Sequence, residues 1–304
     1  MQPLRLSAIL VFIVGLALTV SGQEVNVNGI LKLSDNVQTA AGTTAAHPST
    51  PYGFEAFIDG VDLSGSFPTA PNTITTPAGS TTASFNVAYD AEDGEWSYNG
   101  GGFANQGALD TAYANGTYGF SYGNGGVVFS LDLTGDAYPN TPMLASASAG
   151  TWFAGNYVLT ASEAATALSF TTNVFTAFTT GTDMARIAIY GTNTSFETEE
   201  FSRVNDQVTL SLLAGQLISG GTYEIEIEFV KLVDYLQNGN NAGPNYSSGL
   251  DALGPDVMAL AAYSSITTMT LQVVPEPSTY AVICGALALA GVVVARRRRA
   301  VREF

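Results

Sequence analysis

The chain has 304 residues, a formal net charge of −16, and 10 lysines and arginines against 26 aspartates and glutamates. Arg296 to Arg299 and Arg302 take half of those bases to the C-terminus, so the rest has no basic patch to neutralise phosphates, and a nucleic-acid partner is excluded. The one cysteine, Cys284, allows no disulfide framework, and the one histidine, His47, has no second histidine or cysteine with which to hold a metal.

Residues 1–22 predict a secretory signal peptide. Arg5 gives the positive start, and Leu6 to Val20 is apolar apart from Ser7 and Thr19. Val20-Ser21-Gly22 supplies compact residues for a signal peptidase, which with the secretion translocon is an expected partner. The run is short for a permanent anchor, and no cysteine follows it to carry a lipid.

From Gln23 to Val274 the only bases are Lys32, Arg186, Arg203 and Lys231, so this region is more acidic than the chain as a whole. It shows no long helical period. Short alternating runs bounded by Gly, Asn, Asp and Pro predict an all-β protein, with two tandem β-sandwich domains of immunoglobulin or fibronectin III type at 24–137 and 138–274. The first offers strands at Val25 to Leu33, Phe54 to Leu63, Ser84 to Tyr89, Glu95 to Tyr98, Tyr118 to Tyr122 and Val127 to Leu133. Asp136 to Pro142 is the expected joint, because Pro and Asn halt strands. The second offers Gly155 to Thr160, Ala167 to Thr172, Ala185 to Tyr190, Gln207 to Leu213, Tyr223 to Phe229 and Ile266 to Val274, with a helical turn at Glu163 to Ala167. In Tyr223 to Phe229 the apolar residues face one way, and Glu224, Glu226 and Glu228 face the other, predicted solvated. Gly-Thr-Tyr enters a strand twice, at Gly116 and Gly221, roughly one immunoglobulin-like domain apart. In fibronectin III domains a tyrosine hydroxyl caps such a corner.

Candidate sites are sparse. Asp90, Glu92 and Asp93 have the density of a calcium loop without the Asp-x-Asp-x-Asp-Gly order, so a hairpin turn with solvated charges is preferred and no metal is expected. Glu197, Glu199 and Glu200 form a similar loop cluster. Trp96, Tyr98 and Phe103, in a Gly/Asn-rich segment, offer sugar-stacking surfaces, although one tryptophan per domain (Trp96, Trp152) more often packs a core. There is no Gly-x-Ser-x-Gly elbow, no nucleophile with a histidine base and no phosphate loop, so neither enzyme activity nor a cofactor is expected. Paired carboxylates for glycoside hydrolysis are the weakest reading. Asn115, Asn193 and Asn245 match glycosylation acceptors and are read as loop residues.

The tail, 275–304, has its own order. Val274-Pro275-Glu276-Pro277-Ser278 is an extended linker, since proline continues neither ladder nor helix. Residues 280–295 run without a charge, roughly 24 Å as a helix, at the low end of what spans a bilayer. Arg296, Arg297, Arg298 and Arg299 follow and hold the C-terminus on the cytoplasmic side. Together these residues resemble the PEP-CTERM sorting signal, the substrate tag of exosortases in bacteria that make extracellular polysaccharide. The resemblance implies that the transmembrane helix holds the protein in the inner membrane. An exosortase then cuts near Pro-Glu-Pro, and the body ends at the surface or in the polysaccharide matrix. The expected role is non-enzymatic display. The alternatives are a carbohydrate- or calcium-binding module, then a glycoside hydrolase.

Overall fold

The computed structural model describes residues 27–59, 72–90, 95–122, 127–192, 197–237, 247, 250 and 257–276. In chain order the first strands are β1 (Val27–Ala40), β2 (Thr43–Ala46), β3 (Tyr52–Asp59), β4 (Asn72–Thr75), β5 (Ser84–Asp90) and β6 (Glu95–Phe103). A short helix, α1 (Gln106–Ala112), leads to β7 (Gly116–Ser121) and β8 (Val127–Leu133). Then follow β9 (Leu144–Ala147), β10 (Thr151–Phe153), β11 (Asn156–Thr160), α2 (Ala161–Ala164), β12 (Leu168–Thr172), β13 (Met184–Gly191), β14 (Glu197–Ser202) and β15 (Thr209–Leu212). The last two are the longest, β16 (Thr222–Gln237) and β17 (Met258–Val274). The protein is mostly β with few helical residues, as its alternating runs predict.

β17 carries no charge, glycine or proline, so nothing interrupts its ladder. It pairs antiparallel with β16, from Thr222 opposite Gln272 to Gln237 opposite Met258. On its other side it pairs parallel with β1, from Val27 beside Met258 to Val37 beside Thr268. A parallel pair needs a long crossover, and here most of the chain lies between the two strands. The main sheet runs β14, β13, β16, β17, β1, β3, β6, β5, β4, β7, β8, and β11 joins the end of β17 in parallel. β15, β12 and β9 make a separate three-stranded sheet.

Successive side chains of a strand point to opposite faces, and the central strands feed three apolar clusters. Tyr223, Ile225, Ile227 and Phe229 of β16, with Leu271 of β17, meet Phe170, Leu210 and Leu212 of the small sheet. Two sheets closing on one core is sandwich packing. In a second core Ile30, Phe54 and Tyr263 meet Phe85, Tyr118, Phe120 and Leu131, with Leu109 of α1 added. A third cluster, which includes Leu31, Phe57, Val230, Leu260 and Ile266, comes entirely from one face of five neighbouring strands, β13, β16, β17, β1 and β3.

The expected joint at 137/138 lies between β8 and β9, and Tyr138, Ala259, Ala261 and Tyr263 from beyond it pack in the second core. The sheet does not part there either. β1 sits between β3 and β17, so hydrogen bonding passes from one half into the other. Strand length is the reason. One end of the β16–β17 ribbon gives Ile225 and Leu271 to the first core, and the other gives Leu236 and Ala259 to the second.

A helical turn, α2, begins two residues before the expected start at Glu163 and is held by a capping box in which Thr160 and Glu163 satisfy each other's backbone amides. The helix α1 has no legible period and is capped by Asn105, whose side chain accepts from the Ala108 amide. Among the described residues no helix is long and apolar enough to cross a membrane. The expected signal peptide at 1–22 and membrane segment at 280–295 lie outside the described residues.

Candidate functional site

The tail leaves the body at a pinned point. The Val273 amide donates to the Gly221 carbonyl at 3.0 Å, and the Gly220 amide donates to the Val273 carbonyl at 2.8 Å. Val273 is 2% exposed and belongs to the first core. Val274, the last strand residue, pairs with Thr160 of β11. Pro275 lacks the amide that would continue the ladder, and the strand stops there. The Thr160 amide donates to Glu163 Oε2 at 2.7 Å and holds that carboxyl below the usual carboxylate range. The base of the tail therefore lies beside α2 and the Gly220-Gly221 turn. Pro275 and Glu276 are half-buried, whereas Pro277, Ser278 and Arg296 to Arg299 lie outside the described residues.

The glutamate face of β16 is not the solvated face its sequence suggests. Glu224 is exposed, but Glu226 and Glu228 are buried. The cause is Arg186 on the neighbouring strand β13, directly opposite Glu228. Its guanidinium is fully buried, pairs with Glu226, and lies 3.3 Å from Glu228 and 3.6 Å from Glu199. It donates to the Tyr190 hydroxyl at 2.8 Å, and Ser264 donates to Glu228 at 2.7 Å. Burial opposes the charge on Arg186, but Glu226 and Glu228 outweigh it and raise the guanidinium's pKa. Burial raises the Glu228 carboxyl, and Glu226 adds to the rise, against the pull of Arg186. The signal in the sequence is an arginine inside the otherwise apolar run Met184 to Tyr190; Lys32 within Ile30 to Leu33 is the same kind of signal.

The remaining candidates are dispersed. Asp90 pairs with Glu95 across the β5–β6 hairpin, and Glu92 and Asp93 lie outside the described residues. Among the described residues no group of three His, Cys, Asp or Glu side chains is placed to hold a metal ion. Trp96, Tyr98 and Phe103 pack on the rim of the second core. Tyr98 stacks on Phe85 at 4.1 Å and shares a 2.7 Å hydrogen bond with the Tyr113 hydroxyl, so it is not a free stacking platform. Trp152 meets Tyr157 edge-on at the first core. Asn115 is half-buried and tied by hydrogen bonds at both ends of its amide. Asn193 and Asn245 lie outside the described residues. In both Gly-Thr-Tyr corners the tyrosine hydroxyl bonds backbone a few residues upstream, in opposite senses. Tyr118 donates to the Ala114 carbonyl at 2.9 Å, and the Tyr223 hydroxyl accepts the Ile218 amide at 2.8 Å.

Among curated proteins none matches this chain. A solved structure from work on host cell surface retention of a 1.5-MDa bacterial ice-binding adhesin is similar at 11% identity. That match covers 82% of this chain and 65% of the other, under two thirds of its length. Its TM-score is 0.25. The tail gives a definite result. Residues 273–299 match the PEP-CTERM protein-sorting motif, which begins inside β17 at the buried Val273, and the chain is a carrier of that sorting motif.

Proposed function

We propose that this is an exported, non-enzymatic protein of the cell surface or extracellular matrix, delivered by an exosortase acting at Val274 to Ser278. The observation that carries the reading is the match of residues 273–299 to the PEP-CTERM sorting motif. In this reading residues 1–22 direct export and are removed by signal peptidase. Residues 280–295 hold the chain in the inner membrane, and Arg296 to Arg299 keep its end on the cytoplasmic side. The body is then presented outside, near polysaccharide. The finer fold reading, two sandwich units of immunoglobulin or fibronectin III type, is supported by the two cores and the two tyrosine corners. The parallel β1–β17 pair is a feature that simple tandem units lack.

The test is expression of the full chain in a host with and without its exosortase, read by C-terminal mass spectrometry. A tail lost only when the exosortase is present, and retained after deletion of Pro275 to Pro277, supports the reading. A tail kept in both hosts overturns it.

A further inference from the structure

Lys32 is the second buried base of the body. Its side chain is 0% exposed, on a strand whose cross-strand neighbours are Tyr263 and Phe54. The ammonium nitrogen meets two groups from the facing layer. Asp110 Oδ1, on α1, is 2.5 Å away, and Asn115 Oδ1, just before β7, is 2.6 Å away. The Asn115 carboxamide has a single consistent orientation. Its oxygen also accepts the Tyr263 hydroxyl at 3.0 Å, and its nitrogen donates to Asp136 at 2.6 Å. Burial pushes the Tyr263 hydroxyl up to about 12, so it remains a donor. Tyr138 covers Tyr263 edge-on at 4.9 Å.

An amine, an amide carbonyl, a carboxyl that can carry a proton between them and a hydroxyl aimed at the carbonyl oxygen are the parts of an aminolysis site. We propose that Lys32 and Asn115 join through an intramolecular amide bond, with Asp110 as the proton carrier.

Asp110 takes a proton from the Lys32 ammonium, which frees the amine lone pair. The amine attacks Cγ of Asn115, one bond beyond the oxygen it already touches, and fixed proximity replaces a bimolecular encounter. Tyr263 supports the charge that develops on Oδ1. Asp110 passes its proton to Nδ2, and the attacking nitrogen sheds a second proton to it. The Cγ–Nδ2 bond breaks and the Nζ–Cγ amide remains. Nitrogen leaves as one ammonium ion past Asp136, and Asp110 is again a carboxylate. Nothing is oxidised or reduced, and no co-reactant is needed. The product replaces a buried charge, which is costly, with a neutral amide. It fastens β1 to β7 across the second core, a covalent tie in an exported body that has no cysteine. The bond does not depend on how the tail is processed.

The experiment is peptide mapping of the full chain by tandem mass spectrometry. The expected result is a branched peptide joining Lys32 to Asn115, lighter by one ammonia than its two arms. Separate linear peptides with both residues unmodified overturn the proposal. An ammonia loss confined to a linear peptide, as a cyclised Asn115-Gly116 step gives, also overturns it. A branch from Lys32 to Asp110 with loss of water overturns the choice of Asn115. In Asp110→Ala, and in the isosteric Asp110→Asn, the arms should stay separate while the β-type circular dichroism persists. A branch that survives in either folded variant overturns the role of Asp110.

Discussion

Arg186 on β13 lies directly opposite Glu228 on β16, and neither side chain is exposed to solvent. One buried guanidinium thus faces two buried carboxylates, since Glu226 is its closest partner. Removing the base strands both acids. Arg186→Met should cost about 3–5 kcal/mol in denaturant unfolding. Glu228→Gln leaves Glu226 as the one buried acid facing the base and should be neutral or stabilising at neutral pH. A loss in the glutamine variant as large as in the methionine variant would show that the second carboxylate is needed in its charged form.

The same pair sets a pH dependence. Burial raises the Glu228 and Glu199 carboxyls above their ordinary range. The folded state therefore keeps protons that the unfolded chain has released. That contribution to stability is full below the ordinary carboxylate range and is lost as pH rises through the raised values. Glu163, held low by the Thr160 amide, has the opposite sign, and its contribution is lost as pH falls. The quantity to measure is the unfolding midpoint of Glu228→Gln minus that of the wild type. It should grow as pH rises above the ordinary carboxylate range. A flat difference would refute the assignment.

The paired corners make a stability prediction. Tyr118→Phe leaves the Ala114 carbonyl without its donor, and Tyr223→Phe leaves the Ile218 amide without its acceptor. Each should cost about 1 kcal/mol. The two sit in different cores, so the double variant should lose the sum. A double variant no worse than either single one would mean that the corners are coupled through the sheet.

The pinned base of the tail bears on processing. Val273 is held by two backbone hydrogen bonds and by the first core, so the motif has almost no free chain before Pro275. A Gly-Ser spacer inserted after Val274 should speed tail removal in pulse-chase blots. An unchanged rate would mean that the enzyme reaches the motif without local fraying.

The sequence shows the strands whose residue types alternate and hides those whose types do not. Tyr223 to Phe229 alternate, and that segment is legible. Beyond it β16 continues to Gln237, but a bulge between Leu232 and Asp234 breaks the period. The first half of β17 is buried on both faces and has no alternation to read; only its end beyond Ile266 does. The parallel β1–β17 pair joins opposite ends of the chain, which no local pattern encodes. Both buried bases were visible as charges inside apolar runs. Their acids were not assignable, because Asp110 lies on an unanticipated helix and Glu228 meets Arg186 only through strand register.

The place where the tail joins the body also decides how the protein answers to force. Any pull on the chain beyond Pro275 loads β17 along its own axis. β17 is held on one flank by β16 and on the other by β1 and β11, through hydrogen bonds that run across the direction of pull. Such bonds share the load and must fail together in shear, whereas a terminal hairpin would peel open one bond at a time. The fold thus puts the longest of its described strands, paired on both flanks, at the point where a tether would tug.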